Sequence, residues 1–372
     1  MVTLLAACGH ERATAPTASD DGGAATDAGT GAASMLGSLV MLDVPTYDES
    51  GQSVHPDIVA FDTAWHGSPY WLVMTPYPFG NPGFENPSVL VSPDGSQLAV
   101  PAATHNPVVP GLGLPAYNSD PDLLYDARFD DLVMSYRSVE DGYNVIHAMS
   151  THDGAAWSDP VELFRVPNHQ AVSQTITPPE DGHPPMMWYV DAGESGCRAR
   201  SSRVIRRQGT TSVAELARTP WGEAVPTDLS QKGYVIWHMK VRYIPSLHEY
   251  WTLYAAFPND GLGCSDDDLF FARSSNGTHW HTYSRPLLRH ERRGWTAAAL
   301  YRSSFLYDPA GDELRVWLSA ADDSGAWHMG FARFHMASLL RQLAAPASAR
   351  VPGDRADTPP ARTSTRRWRT AP

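Results

Sequence analysis

An all-β fold closed into a five-bladed β-propeller is the architecture predicted for this chain, and three observations predict it. Aromatic and β-branched strand-like runs dominate between about residues 53 and 335, while amphipathic helical periodicity is scarce. Five of these runs resemble one another: "SPYWLVMTPY", "DDLVMSYRS", "PPMMWYVDA", "HEYWTLYAAF" and "DELRVWLSA". Each follows a shorter run with a polar start, and four are followed, after a third strand, by a glycine turn. The period of roughly 50 to 70 residues suits propeller blades with variable loops. A closed ring also leaves no long sheet edge open to other chains. A β-sandwich, the main rival, does not explain why the first strands keep beginning with polar residues.

The chain divides into four segments. Residues 1–8 read as a partial lipoprotein-type signal, because Leu5-Ala6-Ala7-Cys8 resembles a bacterial lipobox whose cysteine, Cys8, becomes lipidated. Residues 9–35 are poor in large apolar side chains and read as a flexible tether. Residues 36–340 form the propeller. Residues 344–372, where Arg350, Arg355, Arg362, Arg366, Arg367 and Arg369 outnumber Asp354 and Asp357, read as a disordered basic tail. Signal and tether together imply an extracytoplasmic domain, secreted or held at a membrane only by its lipid, and a monomer is expected. Cys197 and Cys264 occupy similar loops in successive units and are expected to form a disulfide there, the alternative being two unrelated thiols.

Within the propeller, each blade can be justified from its first strand. The five candidates are "HPDIVAF", "DPDLLYD", a weaker "VSQTITPP", "HMKVRYI" and "YRSSFLYD". Side chains two apart point the same way along a strand. His55 with Asp57, Asp120 with Asp122, His238 with Lys240, and Arg302 with Ser304 are therefore expected to converge on the central channel. The turns "SPDGSQL", "THDGAAW", "RQGTTSV" and "SSNGTHW" are expected to be tight hairpins in which both central residues take positive φ. The fifth blade lacks an obvious fourth strand, which "SMLGSLVMLDVP" from the N-terminal side could supply, latching the ring.

The chemistry is expected at the channel mouth. The blade-one loop "YPFGNPGFENPS" brings Glu85 and Asn86 toward Asp57, and three carboxylates in one concave site can divide the work of glycoside hydrolysis. Asp126, Asp181 and Asp308 read instead as turn residues. His238 is either a satisfied core histidine or a donor or metal ligand. Arg302 is hard to bury unpaired and should meet a site carboxylate or a substrate oxygen. The chain has 12 Trp and 15 Tyr, and those near the rim, Trp237 among them, could stack on sugar rings.

The net charge of −13 argues against nucleic-acid binding, which needs clustered cations. No zinc-type spacing, nucleotide loop or nucleophile elbow occurs, so no metal site is assigned and no cofactor is required, although the channel could hold a structural calcium ion.

The ordered motifs "HPDIVAF", "YWLVMTPYPFGNPGFENPSVLVSPDG", "NSDPDLLYD", "MMWYVDA", "WHMKVRY", "FFARSSNGTHW" and "GWTAAALYRSSFL" resemble five-bladed propeller proteins similar to glycoside hydrolase family 43 and its arabinanase- and sucrase-like relatives. The resemblance implies an inverting hydrolase acting on a plant or microbial polysaccharide or oligosaccharide. It implies a base at Asp57 and an orienting group at Asp122 or Asp120. It also implies a general acid in blade three, where "VSQTITPP" offers no carboxylate. Glu85 or Glu194 would then take that part, or the protein would be a non-catalytic carbohydrate-binding propeller. His55, Asn86, Asp120, Trp237, His238 and Arg302 are the expected substrate-binding residues.

Overall fold

A computed structural model describes residues 39–209, 221–291 and 293–345. The expected signal with Cys8, the tether, nearly all of the basic tail and most of "RQGTTSV" lie outside the described residues. The described chain is an all-β, five-bladed propeller. It opens with the short β1 (Val40–Met41). Blade one is β2 (Ser53–Trp65), β3 (Ser68–Pro76) and β4 (Ser88–Ser92). Blade two is β5 (Tyr117–Asp126), β6 (Asp131–Glu140), β7 (Tyr143–Thr151) and β8 (Val161–Pro167). Blade three is β9 (Val172–Thr177), β10 (Met186–Asp191), β11 (Arg203–Gln208) and β12 (Val225–Pro226). Blade four is β13 (Tyr234–Ile244), β14 (Glu249–Pro258), β15 (Asp268–Ser274) and β16 (His281–Thr282). Blade five is β17 (Ala299–Asp308), β18 (Glu313–Ala321) and β19 (Trp327–His335), completed by β1.

All the blades are antiparallel meanders, and the latch is made as expected: Val40 pairs with Phe331 and Met41 with Gly330. The innermost strands neighbour one another in the cyclic order β2, β5, β9, β13, β17 and back to β2. Apolar clusters fill every blade interface. Trp71, Leu123 and Met134 lie between blades one and two, and Ile146, Ile176 and Met187 between two and three. Trp188, Tyr250 and Phe270 join three to four, Trp251, Phe305 and Val316 join four to five, and Ile58, Leu72 and Trp317 close five onto one. Burial of these aromatic side chains is the main stabilising term, at about 25 cal/mol for each Å² removed from water.

One expectation needs correction. The glycine turns are not hairpins with two positive-φ residues: Gly95, Gly154 and Gly277 have φ of 83, 74 and 69°, and the preceding Asp94, Asp153 and Asn276 stay at negative φ. Their side chains do the turning. Asp94 Oδ1 accepts the Ser96 and Gln97 N–H groups, Asp153 Oδ1 those of Ala155 and Ala156, and Asn276 Oδ1 those of Thr278 and His279. The glycines are needed because tryptophans of the preceding blade pack on them. A Cβ on Gly95 would lie 2.8 Å from Trp317, on Gly154 2.0 Å from Trp71, and on Gly277 2.5 Å from Trp188.

The C-terminal side of the propeller carries one element that strand patterning does not announce. The described chain ends on a helix, α1 (Met336–Ala344), which runs from the end of the expected propeller segment to the start of the expected tail. Met336, Leu339 and Leu343 recur at helical spacing and bury against the blade four–five core. The Asp312 carboxylate accepts the Ala337 N–H at 2.9 Å, which satisfies one of the helix's open donors.

Gly154→Ala should lower stability by at least about 2 kcal/mol, combining a positive-φ alanine with overpacking against Trp71. Gly142→Ala is the control: its φ is 80° but nothing lies within 4 Å of the added Cβ. Urea denaturation should find the first clearly more damaging than the second, and equal losses would remove Trp71 packing as the reason.

Candidate functional site

Each innermost strand carries an irregularity near its start. In β2, Val54 pairs with Thr75 and Asp57 with Val73, so His55 and Pro56 face a single partner residue. The register shifts in the same way between Ser119 and Asp122 in β5 and between Leu300 and Ser303 in β17. It shifts at Val172–Thr175 in β9 and Ile236–His238 in β13. His55, Asp120 and Ser173 sit at the same place in blades one to three with φ of 58, 51 and 54°. Such bulges re-aim a side chain. Here they split the polar residues into two tiers along the channel, an upper one at the mouth and a lower one inside.

The lower tier is an ion bridge. Lys240 Nζ lies 2.6 Å from Asp57 Oδ2 and 2.7 Å from Asp122 Oδ1. Asp57 also accepts the Ser304 hydroxyl at 2.6 Å and the Leu123 and Ile58 N–H groups at 2.6 and 3.0 Å, with Arg242 at 3.2 Å. Asp122 takes Arg302 at 3.2 Å and the Ile176 N–H at 2.9 Å. Asp57, Asp122 and Arg302 are wholly buried and Lys240 is 1% exposed. Burial alone would raise the Asp57 pKa, but Lys240 and Arg242 outweigh it and hold the carboxyl down at about 2. Asp57 therefore has no oxygen turned toward a water, and an ammonium stands between Asp57 and Asp122 where an inverting hydrolase needs a substrate gap. This arrangement differs from the water-facing carboxylates that the base and orienting roles implied by the family resemblance require.

The upper tier gathers His55, Asp120 and His238. His55 Nε2 lies 3.2 Å from Asp120 Oδ1, and His238 Nδ1 lies 3.4 Å from the same oxygen. One ligand atom from each residue falls within 4.8 Å of the others. None of these three atoms makes a hydrogen bond among the described residues. Burial pushes the His55 pKa down to about 3 and that of His238 well below its usual value, so both rings are neutral. Burial opposes ionisation of Asp120, but Arg137, His55, His238 and Arg302 outweigh it and hold its carboxyl well below the usual range. Two neutral imidazoles and a carboxylate converge in a buried site, the donor set and charge that a divalent cation satisfies.

A second layer orients these groups. Thr75 Oγ1 is 3.0 Å from His55 Nδ1, Arg137 Nε is 2.8 Å from Asp120 Oδ2, and the Ser173 N–H donates to that oxygen at 3.1 Å. Glu85 joins this tier rather than Asp57. It accepts the Ser119 hydroxyl at 3.1 Å and lies 3.5 Å from His55 Nδ1. Burial, only partly offset by Arg137, raises its pKa to about 8. Tyr301 covers the cluster, its ring 4.0 Å from His238 and 5.4 Å from His55.

The other expected residues divide. Arg302 reaches from Asp122 to Asp120, 3.7 Å away, and ties the tiers together. Asn86 spends its amide on the rim loop, donating to Tyr47 Oη at 2.8 Å and accepting Asn118 Nδ2 at 3.0 Å. Trp237 is buried in the blade three–four core, with Nε1 3.4 Å from Tyr301 Oη. Glu194 is an exposed residue of the blade-three loop. Cys197 and Cys264 are joined, Cα atoms 4.7 Å apart, and clip the mouth loops of blades three and four together. Arg137, Thr75, Ser173 and Tyr301 were not singled out in the sequence. Arg137 had a signal, a guanidinium inside the strand run "VMSYRSV". Asp267, in the Cys264 loop, was missed too: it is wholly buried, and neither carboxylate oxygen has a partner among the described residues.

Lys240→Met should cost about 3–5 kcal/mol, because it leaves two buried carboxylates without their cation. Adding Asp57→Asn and Asp122→Asn should recover much of that loss; a single-variant cost below about 1 kcal/mol would contradict the bridge. Burial raises the Asp267 pKa from 3.8 to about 8, so the folded state holds a proton that the unfolded state releases. Stability should then fall as pH rises between those two values, and Asp267→Asn should flatten that slope in urea titrations.

No family model matches the sequence. The chain is 27% identical over 361 residues to the A type blood N-acetyl-alpha-D-galactosamine deacetylase of Flavonifractor plautii, covering 78% of this chain and 46% of that one. It thus spans about half the length of the curated relative it matches. Among solved structures, an N-acetylgalactosamine deacetylase from F. plautii, in complex with blood group B trisaccharide, superposes with a TM-score of 0.73 at 24% identity, over 84% of this chain and 99% of that one. The glycoside hydrolase family 62 alpha-L-arabinofuranosidase domain of Coprinopsis cinerea superposes at 0.53 and 14% identity, over 80% and 97%. The chain is a five-bladed β-propeller with structural neighbours among propeller glycoside hydrolases and a sequence relative that is a sugar deacetylase.

Proposed function

We propose that this propeller is a carbohydrate-active enzyme that hydrolyses the acetamide of an N-acetylated hexosamine, with a divalent cation held by His55, Asp120 and His238. The observation that carries the reading is the convergence at the channel mouth of three buried ligand atoms that have no hydrogen-bond partner among the described residues. The deacetylase relative supports it from sequence. An inverting glycosidase would need a second water-facing carboxylate beside Glu85, and Asp57 and Asp122 are both occupied by Lys240.

Amide hydrolysis needs a polarised carbonyl, an activated water, and a proton for the departing amine. A cation at this site would supply Lewis-acid polarisation. Glu85 is the group of the upper tier able, from its ionised form, to take a proton from water and then return it to the amine nitrogen, since burial raises its proton affinity and Ser119 and His55 hold its Oε1. The Tyr301 phenol, kept protonated by burial, stands beside His238 as a donor toward a developing oxyanion. Arg137 fixes Asp120, and Tyr301 and Tyr77 exclude water from the acetamide. An extracytoplasmic setting belongs to the same reading, and the disulfide supports it.

The test is incubation with an N-acetylgalactosamine-terminated oligosaccharide, following acetate, free amine and released sugar separately. Acetate and amine should appear without sugar release, EDTA should abolish both, and Zn²⁺ or Mn²⁺ should restore them. His238→Ala should lose metal-induced thermal stabilisation together with activity, and Glu85→Gln should lower kcat by about 10²-fold or more. Release of sugar without acetate would overturn the assignment in favour of a glycosidase.

A further inference from the structure

Phe79 is out of place by the ordinary rules of folding. Its φ of 49° and ψ of 35° are left-handed, a conformation unfavourable for a bulky side chain. Its ring is 65% exposed, so packing in the protein alone does not compensate the strain. No aromatic ring among the described residues stacks on it.

The conformation is nevertheless held from beneath. Gln52 Oε1 accepts the Phe79 N–H at 2.9 Å and the Trp327 N–H at 3.1 Å, and the Gln52 carbonyl accepts the Tyr77 N–H at 2.9 Å. One buried amide thus pins the loop to blades one and five. The loop itself joins the site to the rim. Tyr77 packs on Trp327 at 5.5 Å between ring centroids, Trp327 on Tyr301 at 4.9 Å, and Tyr301 on His238 at 4.0 Å. Phe79 stands two residues beyond Tyr77, which is the outermost ring of an aromatic path that starts at His238. Strain fixed by the surrounding structure, on an exposed aromatic, marks a ligand clamp.

We infer that Phe79 is the stacking platform of a distal subsite, which receives a sugar ring beyond the one that carries the reacting acetamide. This rests on the proposed carbohydrate function and sharpens it: the preferred substrate is an oligosaccharide capped by an N-acetylhexosamine, not the single sugar. A flat, apolar ring suits the C–H face of a pyranose, as aromatic contacts do generally.

The experiment compares wild type, Phe79→Ala and Phe79→Trp on a trisaccharide and on a monosaccharide glycoside with the same terminal N-acetylgalactosamine. Phe79→Ala should lower the trisaccharide-to-monosaccharide ratio of kcat/KM by about tenfold, entirely through the trisaccharide KM, and Phe79→Trp should restore it. An unchanged ratio, or a loss carried by kcat, overturns the subsite. Calorimetric titration with the same two sugars separates this from the proposed reaction. If wild type deacetylates neither sugar, weaker trisaccharide binding by Phe79→Ala still supports the subsite, and equal binding overturns it.

Discussion

One buried ammonium organises the channel. Lys240 sits between Asp57 and Asp122 with essentially no exposure, and the three residues come from blades four, one and two. Such a bridge gains little net stability against well-packed apolar groups, since all three charges must give up water. Its value is geometric. Strands far apart in sequence can satisfy these charges only in one relative placement, so the bridge fixes how three blades meet at the axis. Arg302 extends the constraint to blade five, by pairing with Asp122 and with Asp120 above it.

That constraint lets the upper tier be polar without collapsing. Asp120 is tethered by Arg137 and the Ser173 N–H on one oxygen, which leaves the other to face His55 and His238. The bulges are what separate the tiers. A regular strand would carry His55 and Asp57 as successive members of one row, equally able to reach one ligand. The extra residue in each innermost strand, with positive φ at His55, Asp120 and Ser173, turns one row into a floor and a mouth. Histidine and aspartate tolerate that backbone better than most residues do. The residue types that suit the conformation are also those able to bind a cation.

The rim completes the division of labour. Tyr301 closes the apolar side of the cluster, the disulfide ties two mouth loops, and Gln52 stations the blade-one loop whose ends carry Tyr77 and Glu85. The rigid parts are built from repeated strands, while substrate choice is left to loops that differ between blades. A fold shared with propeller glycoside hydrolases can thereby present different chemistry, since what a propeller does depends on which groups occupy the mouth.

The propeller is legible in the sequence, because the repeat of strand runs and glycine turns is written locally, in alternation and in turn residues. The sequence also determined which positions face the axis: His55 with Asp57, Asp120 with Asp122, His238 with Lys240, and Arg302 with Ser304. The roles of those positions were not legible. Asp57 and Asp122 look catalytic in a linear reading, since nothing nearby in sequence neutralises them. Lys240 is 183 residues from Asp57. The bulges were equally hidden, because an extra residue in a strand leaves the composition unchanged and shows only against its partner's register. Only the closed blades put one pair of carboxylates around a shared cation, and turn two histidines toward the one oxygen of Asp120 that Arg137 does not hold. Charge interaction depends on distance through space, which a linear sequence does not specify until the blades close.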